Sequence, residues 1–406
     1  MKIALYLLII LQAMIFVNTF TIPNLKRNKL FQSNIKLFSS TITSNSNRIV
    51  NYKETGAFKL YLPDIYPSKT HYKRALKKLK EVKIDSTIKN IRNQNRKFTA
   101  QSLDTLMKAL TVPITESVTA YEDVLKKLHP FEQTVAELTI TARVKKGYSS
   151  LDILLDNVKL LRSTTSKLAK EYASKANNAT TSLEAKELLI EGMNKLQDLY
   201  EKSQIGTSLD ELVELQKDLR KIPIIELKTP TVVLVGAPNV GKSSIVRSVS
   251  SGTPEVNDYP FTTRGVTIGH IVDINKDIRF QVMDTPGLLD RPAEERNEME
   301  KLTFASLLHL PTAVIYVIDP SGLSGEKSTL QAQLNVRNIL KQRFPKRPWI
   351  DVVSKGDLDL DNNVLKLLPE NYLLISVKNG FNIEILKKNI ETMCLSLQAI
   401  LTQQNK

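Results

Sequence analysis

"TVVLVGAPNVGKSSIV", Thr231 to Val246, decides how the rest of the chain is read. A β-branched, aliphatic run ends at Gly236 and helix-forming residues begin after Gly241. Between them, Gly236, Gly241, Lys242 and Ser243 fit G-x-x-x-x-G-K-[ST]. Glycines at these places let backbone N–H groups close around phosphates, and the following helix N-terminus adds positive potential. Lys242 is then expected to neutralise β/γ-phosphate charge, and the Ser243 hydroxyl to ligate Mg²⁺, with Ser244 beside it in the same nucleotide site.

The surrounding pattern agrees. Short β-branched runs, "AVIYVID" at 313, "WIDVV" at 349 and "YLLIS" at 372, alternate with helical stretches. Alternation of this kind predicts a mostly parallel sheet with helices on both faces, an α/β P-loop domain over residues 229–406. Residues 56–228 read differently. Leu151, Leu154, Leu155, Val158, Leu161, Leu168 and Tyr172 share one stripe at 3.6-residue spacing. Thr181 and Glu184 form a capping box, and Thr207 or Ser208 is expected to cap a further helix. An all-α helical bundle preceding the α/β domain buries these stripes most simply.

"MDTPGLLDRPAEERN", Met283 to Asn297, supplies the next functional group. Asp284 ends a strand and is placed to hold Mg²⁺, and the Gly287 N–H to sense a γ-phosphate. Many switches of this type follow DTPG with a glutamine that orients the attacking water. Here Leu288 stands, which cannot. In "YPFTTRG", Thr263, or its neighbour Thr262, is expected to close on the Mg²⁺ when a triphosphate is bound. Guanine is expected from "VVSKGDL": Asp357 accepts from the guanine N1–H and N2–H₂, while the Lys355 stem lies along the base. Ser376 in "LISVK" matches a later loop whose backbone reads O6. Ser354 occupies the place usual for asparagine, a departure expected to remove a side-chain tie to the base and the P-loop. Asn239 is read two ways, as a loop-shaping residue or as a K⁺ ligand replacing an arginine finger. Arg291, Glu294, Glu295 and Arg296 read as partner contacts rather than acid/base catalysts.

The formal charge of +15 is local. Residues 1–53 carry seven Lys or Arg and no acid, and Tyr72 to Lys97 carries ten basic residues against Glu81 and Asp85. In the latter stretch Leu76, Leu79, Val82, Ile88 and Ile91 keep a rough helical register, so Lys73, Arg74, Lys77, Lys78, Lys80, Arg96 and Lys97 are candidate RNA phosphate contacts on a basic helix face. A solvated charged face is the bland alternative. One cysteine, Cys394, excludes a disulfide framework. Scattered histidines exclude a zinc-spaced cluster.

Residues 1–20, "MKIALYLLIILQAMIFVNTF", read as a secretory signal, with a retained anchor as the alternative. Residues 21–55, rich in Lys, Arg, Ser and Asn, read as a transit peptide, an organellar address. The pair resembles the bipartite leader that sends proteins by the secretory route to a plastid of the apicoplast type; a mitochondrion is the alternative. No stable membrane association is expected after processing.

Together, "PTVVLVGAPNVGKSSIV", "YPFTTRGVTIGHI", "FQVMDTPGLLDRPAEERNEME" and "LLHLPTAVIYVID" resemble the nucleolar GTP-binding protein 1 family of Obg-like GTPases. "RKFTAQSLDTLM" (Arg96 to Met107) and "HPFEQTVAEL" (His129 to Leu138) are similar to that family's helical part. The resemblance implies a Mg²⁺-dependent GTPase, slow by itself, with a hydrophobic residue after DTPG as an ordinary family feature. Lys242, Thr263 and Gly287 would serve hydrolysis. The implied partners are GTP and GDP, the large ribosomal subunit precursor and its rRNA, bound by a protein monomeric off the ribosome, in a short organellar form. A membrane-attached trafficking GTPase and a weakly hydrolysing scaffold are the competing classes.

Overall fold

The computed structural model describes residues 57–404, apart from 225, 227–228, 262–265, 274–277 and 360–361. The leader and both switch threonines, Thr262 and Thr263, therefore lie outside the described residues. Residues 54–290 and 297–406 form one compact unit. Residues 291–296 belong to a second, whose described part holds a 3₁₀ turn at Ala293–Glu295. Among the described residues no helix is long and apolar enough to cross a membrane.

The helical part begins with α1 (Ala57–Tyr61) and α2 (Ser68–Leu79). It continues with α3 (Ile91–Lys127), α4 (Pro130–Lys145), α5 (Leu151–Asn178), α6 (Ser182–Glu201) and α7 (Gln204–Arg220). The stripe on α5 faces inward as its spacing requires: Leu151, Leu154, Leu155, Val158, Leu161 and Tyr172 are all buried. The capping box of α6 is present, with the Glu184 N–H donating to Thr181 Oγ1 at 3.0 Å.

Two local expectations are corrected. Helix α7 is capped by Ser203, whose Oγ accepts from the Gly206 N–H at 3.0 Å. Thr207 and Ser208 lie inside the helix, each donating its hydroxyl back to the Gln204 carbonyl at 3.0 Å. Nor does one helix carry Tyr72 to Lys97. Asp85 accepts from both the N–H and the hydroxyl of Thr87, an Asx turn that competes with helix. Asn90 then starts α3 afresh by accepting from the N–H groups of Arg92 and Asn93.

The α/β part holds one seven-stranded sheet. Its strands are β1 (Thr231–Gly236), β2 (Glu255–Asn257), β3 (Val266–Asp273) and β4 (Ile278–Asp284). They are completed by β5 (Thr312–Ile318), β6 (Trp349–Val353) and β7 (Leu373–Leu374), in the spatial order β2-β3-β4-β1-β5-β6-β7. The five strands from β4 to β7 are parallel, and the edge pair β2 and β3 is antiparallel. The helices are α8 (Lys242–Val249), α9 (Glu298–His309), α10 (Leu330–Arg343), the short α11 (Asn362–Leu365) and α12 (Ile383–Gln404).

Period-two alternation divides the sheet's two faces. Val232 and Leu234 of β1 join Ile245 of α8 and Leu386 and Ile390 of α12 in one core. Val233 and Val235 face the other way, into a core that includes Leu302, Phe304 and Leu307 of α9 and runs on into the bundle through Phe131 and Val135 of α4. Helices α4 and α9 pack antiparallel, since Lys145 at the end of α4 pairs with Glu298 at the start of α9. At the other end, His129 lies close enough to His309 to help hold its imidazole below the ordinary value, an effect secondary to burial, and together they place it at about 4.

Candidate nucleotide site

The loop after β1 has the form that phosphate binding requires. Gly241 has φ +97°, a left-handed conformation that a side chain would strain, and it lets the chain turn straight into α8. Asn239 is also left-handed, at φ 64°, and exposed. Lys242 is buried, donating to the carbonyls of Ala237 at 2.7 Å and Gly236 at 3.2 Å. Burial draws its ammonium down to about 8, against the opposing pull of the Asp284 charge. Ser243 and Ser244 stand in the first turn of α8, Ser244 exposed.

Register brings the second element into place. Leu234 of β1 pairs with Asp284 of β4, so the end of one strand lies beside the end of the other. The Ser243 hydroxyl donates to Asp284 Oδ2, whereas Asp284 Oδ1 is buried without a hydrogen-bond partner. Burial raises this carboxyl above its ordinary value, although Lys242 and Ser243 oppose the effect. A buried carboxylate oxygen beside a hydroxyl is a hard-oxygen donor set, and it fits Mg²⁺, which uses one or two carboxylates together with substrate phosphates. Among the described residues no group of three or more His, Cys, Asp or Glu could hold a metal by itself.

Gly287 is pressed on the phosphate loop: a Cβ there would lie 2.4 Å from the Pro238 nitrogen. The Leu288 N–H donates to the Gly236 carbonyl at 3.0 Å, and its side chain is 2% exposed, inside the core shared with the bundle. Leu288 is thus a packing residue. The DTPG segment is also tied to α9, since Thr303 donates its hydroxyl to the Pro286 carbonyl at 2.9 Å and the Leu289 N–H donates to Glu300 Oε1 at 3.0 Å.

At the base end, the sequence reading needs one correction. Ser354 keeps a tie to the P-loop, because its hydroxyl donates to the Val240 carbonyl at 2.7 Å. A serine reaches this carbonyl because β6 ends directly beside the loop, with the Ser354 N–H on Ile318 at 2.9 Å. The Ser376 N–H donates to the Phe381 carbonyl at 3.1 Å. Its hydroxyl donates to Asp357 Oδ1 at 2.7 Å, the first cause holding that carboxyl below its ordinary value. Asp357 therefore stays a two-oxygen acceptor, braced from one side.

Sequence reasoning missed Asp319. Its buried carboxylate accepts from Lys355 Nζ at 2.5 Å, from Ser324 Oγ at 2.5 Å and from the hydroxyl of Ser321 at 2.6 Å. Burial alone would raise this carboxyl; the donors, Lys355 foremost, hold it below its ordinary value. Lys355 has φ 58°, so backbone and side chain together fix its stem. The signal was an aspartate closing the strand "AVIYVID", a position that the topology sets next to β6.

The candidate RNA contacts divide. Arg96 donates through Nε to the Ala179 carbonyl at 2.8 Å, closing the end of α5, and Lys97 pairs with Asp85 at 2.8 Å. Arg74 lies 4.0 Å over the Tyr66 ring. Lys73, Lys77 and Lys78 on α2, and Lys80 just after it, project as exposed or half-buried cations.

Fold and site together define a P-loop GTPase domain behind a helical domain. Residues 231–355 match the family model described as a 50S ribosome-binding GTPase, and residues 61–226 match that of the NOG1 N-terminal helical domain. A nucleolar GTP-binding protein 1 of Arabidopsis thaliana is 32% identical over 234 residues, covering 58% of this chain and 33% of the relative. That of Saccharomyces cerevisiae is 29% identical over 284 residues, covering 68% of this chain and 41% of the relative. A solved structure of a Plasmodium falciparum protein titled nucleolar GTP-binding protein 1 is 31% identical, covers 45% of this chain and 95% of its own, and superposes with a TM-score of 0.35. The chain belongs to the nucleolar GTP-binding protein 1 family. It spans about a third to under two thirds of the length of the curated relatives it matches.

Proposed function

We propose that this chain binds and hydrolyses GTP as a ribosome-biogenesis factor of the large subunit, slowly alone and faster on the assembling particle. The observation that carries this reading is the burial of Leu288 beside the phosphate loop and its Lys242, Ser243 and Asp284. Lys242 and the N-terminal N–H groups of α8 bind the phosphates, Asp357 accepts from the guanine edge, and Lys355 backs the base. Ser243 and Asp284 would hold Mg²⁺, with Thr263 as the switch ligand. When bound, that ion offsets charge on the β- and γ-phosphate oxygens. Gly287 offers an N–H on the γ-phosphate side.

The chain's described residues thus bind, orient and shield, but Leu288, which stands after DTPG, is buried and carries no group that could position water. Groups supplied in trans at such a place are worth about 10³ to 10⁵ in rate. The proposed source is the large ribosomal subunit precursor, held through its rRNA. Asn239, exposed on the phosphate loop, would be the ligand of a K⁺ ion if one assists. Measuring GTP turnover by the protein alone and with large-subunit particles, in K⁺ and in Na⁺, tests all three points. Stimulation by particles that is absent in Lys242→Ala supports the reading. A flat, negligible rate with GTP still bound would favour a scaffold. Equal rates in Na⁺ and K⁺ would remove the potassium role.

The leader belongs to the same proposal: a plastid ribosome as client, reached by the secretory route, with the processed protein monomeric and off the membrane. Fusing residues 1–55 to a fluorescent protein checks it; a mitochondrial or secreted signal would overturn the address.

A further inference from the structure

Away from the nucleotide site, α3 and α5 pack along each other and leave an open groove of about 490 Å³ between them. Thr111 and Thr115 line it from α3, and Arg162, Ser163, Lys167 and Lys170 from α5, with Ser166 between them. No lining side chain is apolar or acidic. Arg162, Ser166 and Lys170 fall at i, i+4 and i+8, and Ser163 and Lys167 at i and i+4, so the α5 donors make two adjacent rows on one face. All three cations are exposed, and none forms an ion pair with a carboxylate among the described residues. Glu171, which follows Lys170, is held at 2.8 Å by Lys175 on the turn beyond.

Such a surface is costly to leave bare, because three like charges repel and, among the described residues, no carboxylate pairs with them directly; Glu171 acts on Lys167 only at longer range and is itself held by Lys175. Other cations of the bundle differ in this respect: Lys108 and Lys175 each pair with an acid on their own helix, Lys159 pairs with Glu122 of α3, and Lys202 pairs with Asp198. We propose that this groove is a docking site for the sugar–phosphate backbone of RNA. Arg162, Lys167 and Lys170 meet phosphates, and the hydroxyls of Ser163, Ser166 and the two threonines donate to phosphate or ribose oxygens. From Arg162 to Lys170 is eight residues, about 12 Å along the helix axis, long enough to meet more than one phosphate of a strand. A single small anion would leave most of that row unmet. A lipid surface would want apolar side chains beside the cations, as in interfacial helices, and the groove has none. Hydroxyls and cations without base-reading geometry position a nucleic acid rather than select its sequence.

This inference rests on the ribosomal reading above and assigns part of the RNA contact to α5, apart from the lysines of α2. The test uses the full-length protein and a fluorescent, structured RNA hairpin, with anisotropy followed from 50 to 300 mM salt. Three proteins are compared: wild type, the triple variant Arg162→Glu, Lys167→Glu and Lys170→Glu, and Lys73→Glu with Lys77→Glu and Lys78→Glu. The α5 variant is expected to bind RNA at least ~30-fold more weakly at low salt. Its salt slope should fall by about 2 to 3, since each lost phosphate contact contributes about 0.7 to 0.9. Fluorescent GTP should bind it as it binds the wild type, which shows an intact fold; were it misfolded, the triple glutamine variant at the same positions replaces it. RNA affinity that falls only in the α2 variant overturns the groove and leaves the ribosomal reading standing. Failure of the wild type to bind RNA at all overturns the groove, while particle-stimulated turnover separately decides the function. Loss of binding to phosphatidylserine vesicles without any loss toward RNA would also overturn it.

Discussion

Two polar regions of this molecule handle charge in opposite ways. At the base end of the sheet every functional side chain has a protein partner: Lys355 has Asp319, Asp357 has Ser376, and Ser354 has Val240. In the α3–α5 groove the cations have no ion-pair partner among the described residues. A small ligand that must be recognised atom by atom needs donors and acceptors fixed beforehand, because ordering a free lysine or arginine on binding costs about 0.5–1.5 kcal/mol each. A polyanion supplies the missing charges itself and is held through counterion release. Pairing within the protein thus separates a surface that selects from one that only holds.

The strongest way to break the comparison is Lys242→Ala. Removing the buried ammonium should weaken GTP about 10- to 150-fold, the equivalent of about 1.5–3 kcal/mol for a charged hydrogen bond. Fluorescent-nucleotide titration checks it, and RNA binding should not change. Next, Asp319→Asn turns a paired lysine into an unpaired one like those of the groove. GTP affinity should fall about tenfold, near 1.4 kcal/mol, and the residual binding should become more sensitive to salt. An unchanged affinity would mean that Lys355 needs no positioning.

Glu137, on α4, sharpens the contrast from a third direction. Burial raises its carboxyl to about 7, with only Gln133 opposing. The neutral form is therefore favoured in the fold: its stabilisation is complete below the ordinary glutamate value and is lost as pH rises through about 7. Glu137→Gln should melt like the wild type at pH 5 and about 2–4 °C higher at pH 8. Equal melting at both values would place the carboxyl in contact with water. The smallest effect is expected for Ser354→Ala. Loss of one neutral hydrogen bond to Val240 should cost about 0.5–1.5 kcal/mol of stability, visible in chemical denaturation, with a few-fold change in GTP affinity at most.

The nucleotide site was largely legible in the sequence because phosphate loops impose backbone conformations few residues tolerate. Gly241 and Lys242 could be placed from spacing alone, and β1, β5, β6 and β7 from short β-branched runs. What escaped depended on contacts between distant segments. Asp319 acquires its role only when β5 and β6 become neighbours, and Ser354 keeps its tie only because Val240 approaches from 114 residues away. The α2–α3 break was hidden for a different reason. Asp85, Thr87 and Asn90 offer the backbone local hydrogen bonds stronger than a weak apolar register. The choice of Ser203 over Thr207 as the α7 cap was equally local, and both residues were plausible on type alone. The groove was invisible in the charge count, since Arg162, Lys167 and Lys170 are spaced apart in the chain and collected on one face only by the helical turn.

The antiparallel packing of α4 on α9 has a thermodynamic consequence. Because one core runs from Phe131 and Val135 through Leu302 and Phe304 to Val233, the two parts should melt as one cooperative unit. Ligand binding stabilises whatever melts with its site, by about 4 kcal/mol at a thousandfold excess over Kd. GTP would therefore slow amide exchange in α4, although that helix contributes none of the candidate nucleotide-site residues. A calorimeter would record the tie between the two parts as a single peak, shifted whole by the ligand.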